Sequence, residues 1–470
     1  MTSSPYRMPA PYRMPGAMFD AVAAGGGGAE ALRLLARAEH SRRLACAWAV
    51  TEAAGRAGGR VAEDAGRAWE LLTAAARTAP DAAAAVLTHP TAGPLLFEVL
   101  SRLTRPRRGE EPSVARFTAL AAAAAVRAGL PGRTALPVDG VWVALPGLGR
   151  ARFPGATAAD RAEVRTDPEG GSRIVLRAPD GTEDTVVLPP APYRGTPMPP
   201  SPYPGTGRWH GARLLTTLEG GASLLLDVVD RPSFPHAAVR PDGIGPREAA
   251  TWAAVAREAC ALLRAGHPQV YEELAAGERL LVPLDRPGPG IVSGSSAETF
   301  GCVALSLPPT AAGFAVTVAH EMQHNKFAAL LHLFDLFDPG GPERFYAPWR
   351  PDPRPLLGLF HGAYAHLGVA RFWNRRRERE AEAHARFEAH VQFARWRLAA
   401  REATLVLLAS DRLTPLGRRF ADRMLDTLDA LCRLPVPPPA LHRAESAARA
   451  HREAWHDRHG GTEGERMLTA

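Results

Sequence analysis

Hydrophobic and polar positions follow a helical period through the first third of the chain. Alanine-rich amphipathic stretches recur there between helix-breaking residues, for example over 69–76 and 114–126. The pattern predicts a helical N-terminal domain over residues 18–130. Residues 1–17 precede it with two adjacent copies of PYRMP, which are too short for a structural repeat, and this leader is predicted to be disordered.

The pattern changes near residue 131 to short apolar runs separated by turn residues. This predicts a β-rich segment over residues 131–245, interrupted by a proline-rich loop at 189–205. The dipeptide Asp180-Gly181 is typical of a hairpin turn between two of the runs. The predicted strands lie at 141–145, 174–176, 186–188 and 224–229.

Helical patterning returns at Pro246, and strands are predicted at 280–283 and 302–307. An apolar helix follows from Phe314, and a second is predicted from Leu356 to about Trp373. The fold class predicted is therefore α+β. A helical N-terminal domain and a β-rich middle segment precede a mainly helical region, 246–445, that carries a metal motif, and a charged tail, 446–470, ends the chain.

Composition narrows the classes of protein to which the chain can belong. Its 470 residues predict two or three domains, 46% of them are hydrophobic, and no long uncharged apolar run or secretory signal appears, so a cytoplasmic protein with no membrane partner is expected. The net charge of +7 is almost entirely arginine, with Lys326 the single lysine. Arginines at 375–377 run directly into glutamates, which favours a solvated helix face, and no nucleic-acid partner is predicted. Four widely spaced cysteines exclude a Cys-rich zinc site of local spacing.

The strongest chemical signal is His320-Glu321-Met322-Gln323-His324, an HExxH motif. Histidines at positions i and i+4 point from one face of a helix, so both imidazoles can reach one metal ion. Glu321 lies about 100° further round the helix, close enough to act on a bound water or to orient a ligand. The motif predicts His320 and His324 as metal ligands and Glu321 as a catalytic residue.

The motif alone does not specify a peptidase. The long metzincin form needs glycine and histidine where this chain has Phe327 and Leu330. A zinc peptidase could take a downstream glutamate as its third ligand, and the candidates are Glu378, Glu380, Glu382 and Glu388.

A second candidate segment follows the motif. Prolines at 348, 351, 353 and 355 stiffen the chain, and Arg350 and Arg354 lie between them, close to the start of the next helix. Two guanidinium groups at a helix N-terminus can bind a carboxylate, although pairing with Asp352 is the structural alternative. On that helix His361 is a candidate third metal ligand, and His366 is its competitor. A ferrous dioxygenase that consumes 2-oxoglutarate needs such ligands and such an arginine.

The stretches GCVALS at 301–306, AHEMQH at 319–324 and the arginine segment with its helix at 346–373 resemble the HExxH domain of ribosomal-peptide modification systems. The resemblance covers residues 17 to about 440 and implies the standalone form, since no radical-SAM cysteine triplet is present. It departs from the family in lacking a proline at the start of the 301–306 strand.

The resemblance implies a 2-oxoglutarate-dependent peptide β-hydroxylase. His320 and His324 would bind Fe(II), with His361 or a carboxylate as the third ligand, and Arg350 or Arg354 would hold 2-oxoglutarate. O2 would be the second co-substrate and a ribosomal precursor peptide the substrate. The predicted strand at 302–307 is hypothesised to pair with that peptide.

Two other functions remain open from the sequence. One is a zincin-type zinc metallopeptidase that uses Glu321 as general base. The other is a binding protein in which the histidines hold a structural metal and the N-terminal helices dock a partner.

Overall fold

The computed structural model describes residues 12–106, 109, 111–157, 159–189, 207–227, 244–277, 279–286, 288 and 290–459. Its secondary structure confirms the predicted α+β class, with helices at both ends and strands between residues 132 and 305. The chain forms two compact units, one of residues 39–325 and one of residues 1–38 with 326–470. These units do not coincide with the segments drawn from composition, whose boundaries stay predictions.

Up to residue 127, the described part of the chain contains six helices. They are α1 (Gly16–Ala23), α2 (Gly28–Ala57), α3 (Gly59–Thr78), α4 (Pro80–Thr88), α5 (Ala92–Thr104) and α6 (Ala115–Arg127). Helix α6 is buried on almost every side because small alanine side chains let its neighbours approach closely, and it forms the centre of the largest hydrophobic core. Helix α1 begins at Gly16, inside the predicted leader, of which residues 1–11 lie outside the described residues.

The described middle residues, from 132 to 226, contain two antiparallel sheets and two strands of a third sheet. Its strands are β1 (Gly132–Leu136), β2 (Trp142–Leu145), β3 (Gly149–Arg152), β4 (Arg161–Thr166), β5 (Ser172–Arg177), β6 (Glu183–Val187), β7 (Trp209–His210), β8 (Arg213–Thr217) and β9 (Ser223–Leu226). The predicted hairpin is confirmed, since β5 pairs antiparallel with β6 and the turn places Gly181 at a φ of 89°. Most of the proline-rich loop lies outside the described residues.

A five-stranded mixed sheet carries the metal-motif helix. Helices α7 (Pro246–Gly266) and α8 (Pro268–Ala276) are followed by β10 (Leu280–Pro283), β11 (Ser293–Gly294) and β12 (Cys302–Leu305). The strand order is β11-β12-β10-β9-β8, with β9, β10 and β12 parallel and the outer strands antiparallel to their neighbours. Strand β12 therefore lies inside the sheet, and β11 forms its edge.

Five helices follow in the described residues after 305. They are α9 (Ala311–Leu331), α10 (Leu356–Arg379), α11 (Ala383–Ala409), α12 (Pro415–Cys432) and α13 (Pro438–His459). Helix α13 extends into the predicted charged tail, where Trp455 is buried. No single helix of the described ranges is long and apolar enough to cross a membrane, and one bent pair, α4 with α5, passes that test by length and composition only.

Helix α1 belongs to the same compact unit as α10 and α12. Phe19 packs edge-on against Phe334 and Phe420, and Asp20 pairs with Arg419. The side chain of Lys326 is fully buried and donates to the Gly26 carbonyl at 3.0 Å, just beyond the end of α1. The single lysine of the chain is thus part of the attachment of the N-terminal helix.

Candidate metal site and arginine segment

Helix α9 brings the two histidines of the motif together. The Nε2 atoms of His320 and His324 lie 3.1 Å apart, and their rings meet edge-on at 4.8 Å between centroids. Each histidine is partly exposed, whereas the residues around them from 317 to 330 are otherwise buried. The helix therefore presents two convergent imidazole nitrogens at the partly exposed positions of this stretch, as the i and i+4 spacing predicted.

The protonation state of His320 suits metal binding. Burial lowers the pKa of His320, and the carboxylate of Glu321 opposes that shift only in part. Its imidazole is therefore neutral near pH 7, which is the form that coordinates a cation.

Glu321 is buried beside the histidine pair, with 2% of its side chain exposed. Its Oε1 atom accepts a hydrogen bond from the Ser293 hydroxyl at 2.7 Å and lies 3.9 Å from the His320 Nε2 atom. Its Oε2 atom is buried and accepts no hydrogen bond from any of the described residues. A buried carboxylate oxygen without a donor is unusual, because such oxygens are normally satisfied, and a bound cation or proton would satisfy it.

Asn325 fastens this helix to the sheet. Its carboxamide oxygen accepts from the Gly301 N–H at 3.2 Å, and its NH2 group donates to the carbonyl oxygens of Cys302 at 3.1 Å and Glu321 at 3.2 Å. The side chain is 1% exposed. The amide thus acts as an extra peptide group at the start of β12 and fixes the motif helix against that strand.

Ser293 and Asn325 were not among the residues singled out from the sequence. Each contacts a partner about two dozen positions away in the chain, across a strand or a turn, and neither lies in a local motif. Asn325 does directly follow the HExxH motif, and an amide at a buried helix position was the available signal.

The arginine segment is held on a shared carboxylate in the second unit. Residues Phe345 and Arg354 form an isolated antiparallel bridge that closes the segment into a loop. Arg350 Nε donates to one oxygen of Asp352 at 2.8 Å, and Arg354 Nη1 donates to the other at 3.1 Å. Burial alone would raise the pKa of Asp352, but the two guanidinium groups together outweigh it and lower that pKa. The pairing with Asp352 that the sequence left as an alternative is therefore present.

Two glycines of α10 make room for this segment. A β-carbon at Gly362 would overlap the indole of Trp349, and one at Gly358 would lie 2.9 Å from the Nε atom of Arg354. The close approach at Gly362 is thus made by a tryptophan ring.

His366 is held by aromatic stacking. Its ring lies 4.5 Å from the indole of Trp349 and 4.5 Å from that of Trp396, and its Nδ1 atom lies 2.8 Å from the Gly362 carbonyl oxygen. The competitor ligand is therefore 7% exposed and packed between two indoles. This environment favours a structural role for His366.

His361 lies one helical turn earlier and is partly exposed. Burial lowers its pKa to about 4, and the positive charge of Arg354 contributes to the shift. Its ring packs edge-on against Phe327 at 4.7 Å between centroids. The imidazole is neutral at physiological pH, as a metal ligand must be, and its assignment as third ligand stays a prediction.

Most of the downstream glutamates are engaged locally. Glu380 pairs with Arg376, Glu388 pairs with Arg443, and the carboxylate of Glu382 caps the N-terminus of α11. Taken unit by unit over the described ranges, no three His, Cys, Asp or Glu side chains are grouped tightly enough to hold a metal ion.

Comparison with known proteins adds no assignment. The chain matches no protein-family model, and a search of curated proteins finds no similar sequence.

Proposed function

We propose that the protein is an Fe(II)- and 2-oxoglutarate-dependent dioxygenase that β-hydroxylates a residue of a ribosomally made precursor peptide. The observation that carries the proposal is the histidine pair, whose Nε2 atoms converge at 3.1 Å beside the buried carboxylate of Glu321. Neutral imidazoles suit ferrous iron and zinc alike. The choice of iron is supported by the paired arginines and by the sequence resemblance.

Each residue of the candidate site has a proposed task. His320 and His324 hold the metal, with His361 as the predicted third ligand, and Glu321 orients a ligand or water from the position that Ser293 fixes. When bound, ferrous iron would supply the activation of O2, so that 2-oxoglutarate becomes succinate and CO2 while a β C–H bond of the peptide becomes C–OH.

Arg350 and Arg354 are proposed to hold the distal carboxylate of 2-oxoglutarate. Both guanidinium groups donate hydrogen bonds to the carboxylate of Asp352, and this supports the role because the two groups can reach a single carboxylate. The buried Nε atom of Arg354 donates to no described acceptor and is a further donor for such an anion. When 2-oxoglutarate binds, Asp352 would either keep its ion pairs with the two arginines or be replaced in them by the carboxylate of the co-substrate.

The test is anaerobic reconstitution with Fe(II), followed by succinate detection after addition of 2-oxoglutarate and O2. Uncoupled turnover is expected without any peptide, and it should be lost in His320→Ala and weakened in Arg354→Ala. His384→Ala is the matched control, because His384 is exposed on α11. Succinate formation that is equal in His320→Ala and His384→Ala would contradict the proposal.

A zinc metallopeptidase is the second candidate, and one observation favours it. The Oε2 atom of Glu321 is buried without a hydrogen-bond donor, which is also what a general base requires. Because Glu380, Glu382 and Glu388 are engaged in local contacts, fewer glutamates remain as candidates for the third zinc ligand of a peptidase. A Glu321→Gln variant separates the two functions: it should lose all peptidase activity if Glu321 is the base, and continued 2-oxoglutarate consumption by this variant would exclude the peptidase.

A further inference from the structure

The strand hypothesised to pair with a peptide is not accessible along its length. Strand β12 has β10 on one side and β11 on the other, where Ser293 is paired with Leu305 and Gly294 with Ala304. One outer position of the sheet belongs to β11. Within the described residues, a strand added on this side of the sheet would pair with β11, so β11 replaces residues 302–305 as the candidate for pairing with a peptide.

The register of β11 shows which main-chain groups point outward. The Ser306 N–H donates to the Val292 carbonyl at 2.8 Å, so this pair is a hydrogen-bonded pair. Pairs alternate along an antiparallel ladder, so Ser293 and Leu305 form a non-hydrogen-bonded pair. In agreement, the Leu305 carbonyl accepts from Leu284 on the opposite side of β12. The N–H and C=O of Ser293 consequently point away from β12, toward the outer side of the sheet.

The composition of this edge is also unusual. Residues 291–297 read IVSGSSA, with no charge and no proline, and 291–296 are all partly exposed. Proteins normally protect an accessible edge with charged residues, proline or a covering element, because an open edge pairs with other strands. An uncharged, partly exposed edge is the surface that an extended peptide can use.

The edge is joined directly to the metal motif. Ser293 directs its main-chain groups outward, and its side chain donates to Glu321 Oε1 at 2.7 Å. A single residue therefore contacts both the position of an added strand and the carboxylate of the HExxH motif.

We infer that the outer edge of β11 binds an extended peptide segment, which adds to the sheet as a further strand beside Glu321. The inference rests on the proposed function only in taking a peptide as the substrate. The N–H and C=O of Ser293 supply the recognition, so the main chain of the peptide is bound at this position whatever its side chains are. The sheet extends by one strand and delivers the peptide to the motif helix.

The experiment uses the full chain without metal and a random dodecapeptide library as the probe. Peptides are depleted on a Ser293→Pro variant, which lacks the outward N–H, and are then selected on the native protein. Selected peptides should bind Ser293→Pro at least about tenfold more weakly than the native protein, because one main-chain hydrogen bond between uncharged groups is lost. Ser293→Ala keeps the main-chain groups and should bind as the native protein does.

Ala297→Pro is the matched proline control. The Thr299 N–H donates to the Ser296 carbonyl at 3.0 Å, so Ala297 occupies the second position of a β-turn, where proline is favoured. This variant should bind the selected peptides with native affinity. Circular dichroism of both proline variants checks that each is folded.

A scan of the peptide makes the test independent of any variant. N-methylation of successive peptide amides should weaken binding strongly at the one amide that donates to the Ser293 carbonyl and little at the residues on either side, whose amides face away from β11. Failure to enrich any peptide after depletion, or an equal loss of affinity at adjacent residues, would overturn the inference. The proposed function is tested separately. If succinate forms but no peptide binds at β11, the dioxygenase proposal stands and the inference about β11 is rejected. If peptides bind at β11 but no succinate forms, the inference about β11 stands and the dioxygenase proposal is rejected.

Discussion

Replacing Asn325 with alanine should loosen the attachment of helix α9 to strand β12. The native carboxamide makes three hydrogen bonds of 3.1 to 3.2 Å to main-chain groups of Gly301, Cys302 and Glu321, and its side chain is buried. The Glu321 carbonyl lies within a helix and keeps a main-chain donor. The Gly301 N–H and the Cys302 carbonyl lose a partner in the interior.

The size of the effect follows from these two losses. A buried donor left unsatisfied costs about 1–3 kcal/mol, and loss of an ordinary hydrogen bond costs about 1 kcal/mol, so Asn325→Ala should destabilise the protein by about 2–4 kcal/mol. For a unit of this size each kcal/mol lowers the melting temperature by about 2–4 °C. A decrease of about 5 °C or more is therefore expected.

Scanning calorimetry is the suitable assay, because a chain with two compact units can unfold in more than one transition. Thr317→Val is the control on the same helix. The Thr317 hydroxyl donates to the Gly313 carbonyl at 2.8 Å within the helix, so its loss should cost at most about 1 kcal/mol, or about 2–4 °C. Equal shifts for the two variants would refute the account of Asn325 as the attachment of the helix to the sheet.

Ser293→Ala should lower iron-dependent succinate formation about tenfold, because the Glu321 carboxylate loses the donor that holds it, and a coupled assay measures the rate. Acidification from pH 6.5 to about 4 should lower the melting temperature, because in that range His361 is protonated in the unfolded state and neutral in the folded state. The variant His361→Gln should show a weaker dependence of the melting temperature on pH. Gly362→Ala should destabilise the protein by about 1–3 kcal/mol, since the new methyl group overlaps the indole of Trp349, and thermal unfolding measures the loss.

Each of these outcomes has its own control. Ser293→Thr keeps the hydroxyl and should retain most of the rate. Gly358→Ala places its methyl group against the flexible end of Arg354, so it should be tolerated far better than Gly362→Ala. Equal losses for the two glycine variants would contradict the packing of Trp349 on Gly362, and an unchanged pH profile in His361→Gln would contradict the neutral state of His361 in the folded protein.

Local patterns predicted the elements of the fold well. The helix carrying the motif, the helix that begins after Pro355 and the hairpin at Asp180-Gly181 all depend on residues a few positions apart. The second helix ends at Arg379, beyond the expected end near Trp373, because arginine and glutamate continue a helix readily. Local patterns therefore determine where elements start and, less well, where they stop.

Long-range packing could not be predicted in the same way. The attachment of α1 depends on Phe19 and Asp20 meeting Phe420 and Arg419, some four hundred positions along the chain. No periodicity links such residues. For this reason, the two compact units of the structure differ from the segments drawn from composition.

The residues of the candidate site also differ in whether a local sequence pattern could predict them. The convergence of His320 and His324 follows from helix geometry alone, and Asp352 was recognised as a partner of the arginines because it is adjacent in sequence. Ser293 and Asn325 could not be assigned roles, since their partners come together only when the sheet is formed. Residues that act on the motif from other elements require the fold.

The most direct test of the proposed metal site is the visible spectrum of the protein with Fe(II) and 2-oxoglutarate under anaerobic conditions. Chelation of the metal by the keto acid gives a charge-transfer band that neither component gives alone. The band should form in the native protein and in His384→Ala and be absent in His320→Ala. No band in the native protein, together with tightly held stoichiometric zinc, would contradict the dioxygenase and favour the peptidase.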